Sequence, residues 1–437
     1  MLVTQKVFFG IIATLAALNV ASAQDWPQWQ GEDRDGVWHE TGTLTAFPKD
    51  GPNILWRVPI ANGYSGPAVS NGCVFVLDFV RTDGDPTPNP GKKSELTGSE
   101  RVHCLDAKSG DTLWSVTYDC QYKFSYPNGP RATPTVDSEH VYTLGAEGML
   151  HCLRCEDGEV VWKKDLKQDY QLELAPHWGF AAHPLVDGDQ LYCIVGTEDN
   201  VVVAFEKNTG EELWSALSAR SQGYCPPTMI EAGGTKQLLV WHPESLNSLN
   251  PETGEVYWSF EMQPAYDMSI VAPIKYGDYL YTTALQGTSL LLKLDENEPK
   301  ATEVWRGHGT HPDHNPPLIV DGHIYGVDEA GQFRCVNLET GDRVWESMET
   351  ATNGRPNNST TGFIVKCEDH YYIMTEQGEL LIAKLSPEKF DLLDRAKILE
   401  PTTQTSNRRV VWSHPAFAQK CMFARNDKEI VCVSLEK

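Results

Sequence analysis

An all-β propeller of eight blades is the fold this 437-residue sequence predicts, and two recurring phrases predict it. The first is Cys104-Leu105-Asp106-Ala107-Lys108-Ser109-Gly110-Asp111-Thr112-Leu113-Trp114, with further copies at 152–162, 204–214, 248–258 and 335–345. Each copy reads as a strand, a polar turn with glycine, and a second strand closed by tryptophan. The second phrase precedes the first and carries a proline or small residue, an apolar pair, a turn and a strand with an aromatic. It begins at Gly66, Thr133, His183, Pro226, Ala272, Pro316, Thr361 and His414, which sets the number of units at eight. Self-similarity at about 40–50 residues marks propellers and solenoids, and a strand-turn-strand unit selects the propeller.

The elements follow in order. Residues 1–23 read as a secretory signal peptide: Lys6, an apolar run to Val20, then Ala21-Ser22-Ala23. The run is short for a bilayer span. Residues 24–51 form a loop-like leader with Trp26, Trp29 and Trp38, and the propeller occupies 52–437. Within the first unit, residues 81–100 are rich in proline, glycine and polar groups, which predicts a mobile surface loop. The fifth unit replaces its glycine turn by Asp295-Glu296-Asn297-Glu298-Pro299, and the seventh lacks a closing tryptophan. The last unit stops at Leu435 without an outer strand, whereas Asn53-Ile54-Leu55-Trp56-Arg57-Val58 is an orphan strand that has one. Pairing the two closes the ring and removes an open edge.

The chemistry of the first phrase suits a blade. Asp106 can cap its turn and Gly110 can supply a positive φ. The tryptophan can wedge between blades while its N–H finds a carbonyl.

A net charge of −24 argues against nucleic acid and against anionic membrane surfaces, both of which want basic footprints. Eleven cysteines are an odd number, and Cys104, Cys152, Cys335 and Cys432 share one repeat position with Ala204, Ser248 and Ala383. That position asks for a small packed side chain, which a free cysteine supplies. Their pairing is left open.

In a propeller the innermost strands line a central channel, and the loops entering them gather on one face. These loops are rich in aromatic and polar groups here. Tyr64, Arg131, Trp178, His183, Asn358 and His414 are the candidate ligand-binding residues expected at the channel mouth. Aromatic planes beside Arg and His suit a sugar, a peptide end or an aromatic anion. His308, His311 and His314 share one loop and are weak candidates for a metal, although a Gly- and Pro-containing loop seldom pre-organises one. The expected metal content is none. No nucleophile elbow, phosphate loop or spaced zinc motif is present, and no catalytic residue is assigned.

With these residues in view, the Leu-Asp-Ala-x-Ser/Thr-Gly-x-x-x-Trp phrase resembles the repeat of PQQ-like β-propellers. The opening Trp26-Pro27-Gln28-Trp29-Gln30-Gly31 and Glu100-Arg101-Val102-His103-Cys104-Leu105-Asp106 resemble exported bacterial proteins of that family. The superfamily holds quinoprotein alcohol dehydrogenases and the outer-membrane assembly factor BamB. The resemblance implies two different expectations. The dehydrogenases carry adjacent cysteines, a Ca²⁺ and an Asp base, yet no two cysteines are adjacent here. BamB matches better in size but is a lipoprotein, and no lipid-anchor cysteine follows Ala23. The sequence therefore points to an exported, soluble, monomeric, non-catalytic scaffold that binds a protein or small ligand at its channel face. No cofactor is expected on that reading. The alternatives are a divergent quinoprotein oxidoreductase using PQQ and Ca²⁺, and carbohydrate recognition.

Overall fold

The computed structural model describes residues 24–437 except 313, 352, 353 and 406. The signal-peptide segment therefore lies outside the described residues. Eight antiparallel blades are arranged in one ring. The first blade consists of Ala68–Ser70, Cys73–Asp83, Ser94–Asp106 and Thr112–Phe124, in that order from the channel outward. Six more repeat this order, the seventh ending in Phe390–Lys397. The eighth blade takes Ala416–Ala418, Cys421–Arg425 and Glu429–Ser434, and its outer strand is Ile54–Pro59 from the chain's start. The ring is closed by the N-terminal strand, and helix is almost absent.

The turn chemistry explains the blade-to-blade contacts. Asp106 Oδ1 accepts the N–H groups of Lys108 and Ser109, and Asn337 Oδ1 those of Glu339 and Thr340. The turn glycine then lies on the preceding blade's indole: a methyl at Gly158, whose φ is +75°, would stand 2.6 Å from Trp114. Each indole N–H reaches a carbonyl of the next blade. Trp56 donates to Ala107 (3.0 Å), Trp114 to Cys155 (2.8 Å), Trp162 to Lys207 (2.8 Å) and Trp214 to Pro251 (3.0 Å). Trp305 and Trp345 continue the pattern onto Leu338 and Ser386. The irregular fifth unit breaks it in a definite way. Trp258 faces a turn without glycine and donates instead to Gln237 Oε1 of its own blade (3.0 Å). In the seventh blade Leu392 stands opposite Ala383, where a tryptophan would be.

Two segments depart from expectation. Residues 81–100 are a surface loop only in part, between 84 and 93. Arg81 to Asp83 and Ser94 onward extend the first blade's strands, so that its two outer strands are each 13 residues long. Polarity misled because the polar groups are matched inside. Glu100 is buried, accepts hydrogen bonds from the Tyr118 and Tyr122 hydroxyls and from the Ala146 N–H (2.9 Å), and burial raises its pKa. The turn of this extension leans over the loop face: Lys93 donates to the Ala175 carbonyl (3.0 Å) and Ser125 to that of Asn89 (2.7 Å).

The leader is the second departure. Trp26 exchanges two hydrogen bonds with Val69, and Pro27 accepts one from Val136 (all 2.8 Å). Arg34 donates to the carbonyls of Pro184 and Pro227, and Val37–Trp38 pairs in parallel with Lys366 and Cys367. These partners belong to, or lead into, the innermost strands of the first four blades and the seventh. Residues 26–38 therefore fill the channel as a plug. The chain then leaves over the eighth blade, where Leu44 N–H meets the Leu435 carbonyl (2.8 Å).

Candidate functional site

Above the plug, the loops entering the innermost strands enclose a cavity of about 1180 Å³. All six residues singled out from the sequence line it: Tyr64, Arg131, Trp178, His183, Asn358 and His414. They come from the entering loops of the first, second, third, seventh and eighth blades, so ring closure alone brings them together. Trp29, Tyr126, Tyr224, His314, Arg408 and Trp412 also belong to the wall.

Trp29, like Arg408, is a residue that sequence reasoning missed. It forms the floor, 5% exposed, stacked on His183 with ring centres 4.9 Å apart and edge-on to His414 at 5.9 Å. Its only sequence signal was an apolar ring in a segment too short to have a repeat.

Electrostatics divide the wall into fixed parts. His183 Nδ1 accepts the Thr133 N–H (2.8 Å), which places the proton of the neutral ring on Nε2. Burial pushes its pKa well below the usual imidazole value, and that of His414 down to about 3. Arg131 lies over the rings of Tyr64 (5.0 Å) and Phe124 (4.6 Å) and donates to the carbonyls of Gly129, Ser125 and Tyr126. Desolvation lowers its pKa, and burial raises those of Tyr64 and Tyr224. Arg408 is held by Glu376 (2.8 Å) and by the Asn358 carbonyl (2.9 Å). Trp412 gathers His314 (5.2 Å), Tyr64 and Tyr126 (both 6.3 Å).

The histidine loop divides. His308 and His311 stay together with ring centres 5.5 Å apart, whereas His314 joins Trp412 in the cavity wall. Among the described residues, the cluster with metal-ligand spacing is Asp33, Asp35 and His39, all exposed in the leader. The cavity wall holds no such set, and the Arg131 and Arg408 forks are largely engaged by protein carbonyls and Glu376. Outside the cavity, Ser115 Oγ lies 2.7 Å from His103 Nδ1, and His103 Nε2 lies 3.2 Å from Asp78. Asp78 is already taken by Arg101 and by the Ala61 N–H (2.6 Å), and Ser115 sits mid-strand opposite His103. That constellation ties the first blade to the strand leaving the eighth.

A family profile described as "Outer membrane protein assembly factor BamB" matches residues 98–240 and 242–437. The chain belongs to this family. BamB of Yersinia pestis is 21% identical over 281 residues, covering 61% of this chain and 66% of its own length, just under two thirds. The quinoprotein ethanol dehydrogenase of Pseudomonas aeruginosa is 24% identical over 217 residues, 46% of this chain and 34% of that enzyme. Among solved structures, BamB from Moraxella catarrhalis superposes with a TM-score of 0.57 at 14% identity, covering 87% of this chain and 97% of that one. A europium-containing methanol dehydrogenase gives 0.61 at 13% identity, covering 94% and 89%. The PQQ-like β-propeller architecture is thus common to assembly factor and dehydrogenase alike, and at these identities the structural likeness speaks for fold.

Proposed function

We propose that this protein is an exported, monomeric binding propeller whose plugged channel mouth receives a segment of a partner protein or a small ligand, without chemistry of its own. One observation carries the reading: an aromatic cavity of about 1180 Å³, floored by Trp29, without a nucleophile–base pair or a metal-ligand set among the described residues of its wall. Such a concave, mostly apolar wall with a few placed polar groups is the usual form of a ligand site. The family's name, that of an assembly factor, supports a scaffold. The negative overall charge and the absence of a described helix long and apolar enough to cross a membrane accord with action off the bilayer.

A photo-crosslinking amino acid at Tyr266, which is 70% exposed on the cavity rim, tests it. The same probe at Leu213 on an outer strand is the control. Expected are discrete adducts from the rim position and none from the control, together with no dye reduction after PQQ, Ca²⁺ and an alcohol are added. Alcohol-dependent dye reduction would overturn the non-catalytic reading.

A further inference from the structure

Charge is distributed unevenly between this molecule's surface and its centre. The chain carries a net −24, yet the cavity wall and the plug beneath it hold two guanidinium groups, Arg131 and Arg34, that form no ion pair with any described carboxylate. The other charges on the wall are matched or distant. Arg408 has Glu376, and Asp267 has Arg220 at 2.8 Å. Glu329 stands on the sixth blade's loop, across the ring from the second-blade loop that carries Arg131. An unpaired cation in a low-dielectric, aromatic-walled recess is costly unless an anion answers it, and its field is focused by the walls. Of the five N–H groups of Arg131, three go to carbonyls, which leaves the Nε–H and one Nη1–H without a described acceptor. His183 adds a fixed Nε2–H, because its Nδ1 is spent on Thr133.

We infer that the cavity takes a ligand bearing a single free carboxylate on an aromatic or apolar body, with the carboxylate on Arg131 and the body between Trp178 and Trp412. The inference rests on the reading of the cavity as the binding site and names the chemistry of its occupant. A carboxylate answers a guanidinium charge and accepts strongly from either of the remaining N–H groups, one at Nε and one at Nη1. Two sources supply this chemistry: a small aromatic acid or the chain end of a peptide.

Calorimetric titration of the purified protein separates them. The probes are N-acetyl-phenylalanine, a hexapeptide ending in phenylalanine, and the C-terminal amide of each. The free acid is expected to bind about 10-fold or more tightly than its amide, as a charge-assisted pair requires. That preference should shrink as salt is raised, and Arg131→Gln should abolish it. Preference shown by the hexapeptide pair alone assigns the site to a chain end; equal preference in both pairs assigns it to a small acid. Because Arg131 also braces a loop, thermal melting checks the variant, and the salt dependence of the unaltered protein stands if Arg131→Gln does not fold. Equal binding of acid and amide, no binding of either, or a preference that survives Arg131→Gln overturns the inference. Equal binding that Trp178→Ala removes would leave the cavity as the binding site while discarding its carboxylate specificity. Loss of the Tyr266 cross-links, in contrast, would count against the site itself.

Discussion

Tryptophan is used in two ways in this molecule, once around the blades and once at the centre. In the girdle, Trp56, Trp114, Trp162, Trp214, Trp305 and Trp345 each donate to a carbonyl of the following blade. At the centre, Trp29 and Trp412 border the cavity with indole N–H groups that have no partner among the described residues. Trp38, locked in the plug, is also unpartnered, so an orphan N–H alone does not mark a site. The difference is one of context. Girdle positions recur with the repeat and carry a recurring partner, whereas central positions occur once and face space. A repeated, satisfied aromatic builds the scaffold; a singular, unsatisfied one at a cavity is available for recognition.

The largest expected effect breaks the girdle. Trp114→Ala removes an indole wedged under Gly158 and leaves the Cys155 carbonyl without its donor, so it should cost about 3 kcal/mol. Trp412→Ala, at a half-buried cavity wall, should cost about 1 kcal/mol. Chemical denaturation of the two variants measures the contrast, and equal losses would dissolve the distinction. Gly158→Ala attacks the same contact from the opposite side. Its φ of +75° and the 2.6 Å approach to Trp114 combine backbone strain with a clash, for about 2 kcal/mol.

The same contrast explains what was legible in the sequence. The girdle was readable because each blade repeats the phrase: the eight units, the closure by the 53–58 strand, and the convergence of Tyr64, Arg131, Trp178, His183, Asn358 and His414 all follow from register. The plug was not, since its partners Val69, Pro184, Pro227 and Lys366 are spread across the ring and leave no period in residues 26–38. The 81–100 extension was misread because Glu100 looks exposed until Tyr118 and Tyr122 fold over it. The division of the histidine loop escaped for a similar reason: His314 answers to Trp412, almost a hundred residues away in sequence, rather than to His308 and His311.

Acid should act on the centre before the girdle. His183 and His414 are held neutral by burial, with folded pKa values below the unfolded value of about 6.5. Above that value neither contributes. As pH falls below it the unfolded chain binds the protons first, so stability declines by up to about 1.4 kcal/mol per pH unit for each ring. For His414 the decline ends only near pH 3. Carboxylates titrate in the same window, so the informative measurement is the difference between the native chain and His414→Gln. The variant's stability should fall less steeply between about pH 6 and pH 4, by close to one proton. An unchanged slope would mean that the ring is charged in the folded state.

The smallest effect isolates the indole N–H itself. Trp→Phe keeps an aromatic face and deletes the donor. At Trp114 the change strands the Cys155 carbonyl, whereas at Trp412 it removes a group that has no partner to lose. Losing a made hydrogen bond costs about 1 kcal/mol, while removing an unsatisfied buried donor is neutral or favourable. After the shared loss of ring area, Trp114→Phe should therefore be the more destabilising of the two by about 1 kcal/mol. Denaturant midpoints of the paired variants test this. If Trp412→Phe proves as costly as Trp114→Phe, the Trp412 N–H has a partner in solution, and the centre is built on the same terms as the girdle.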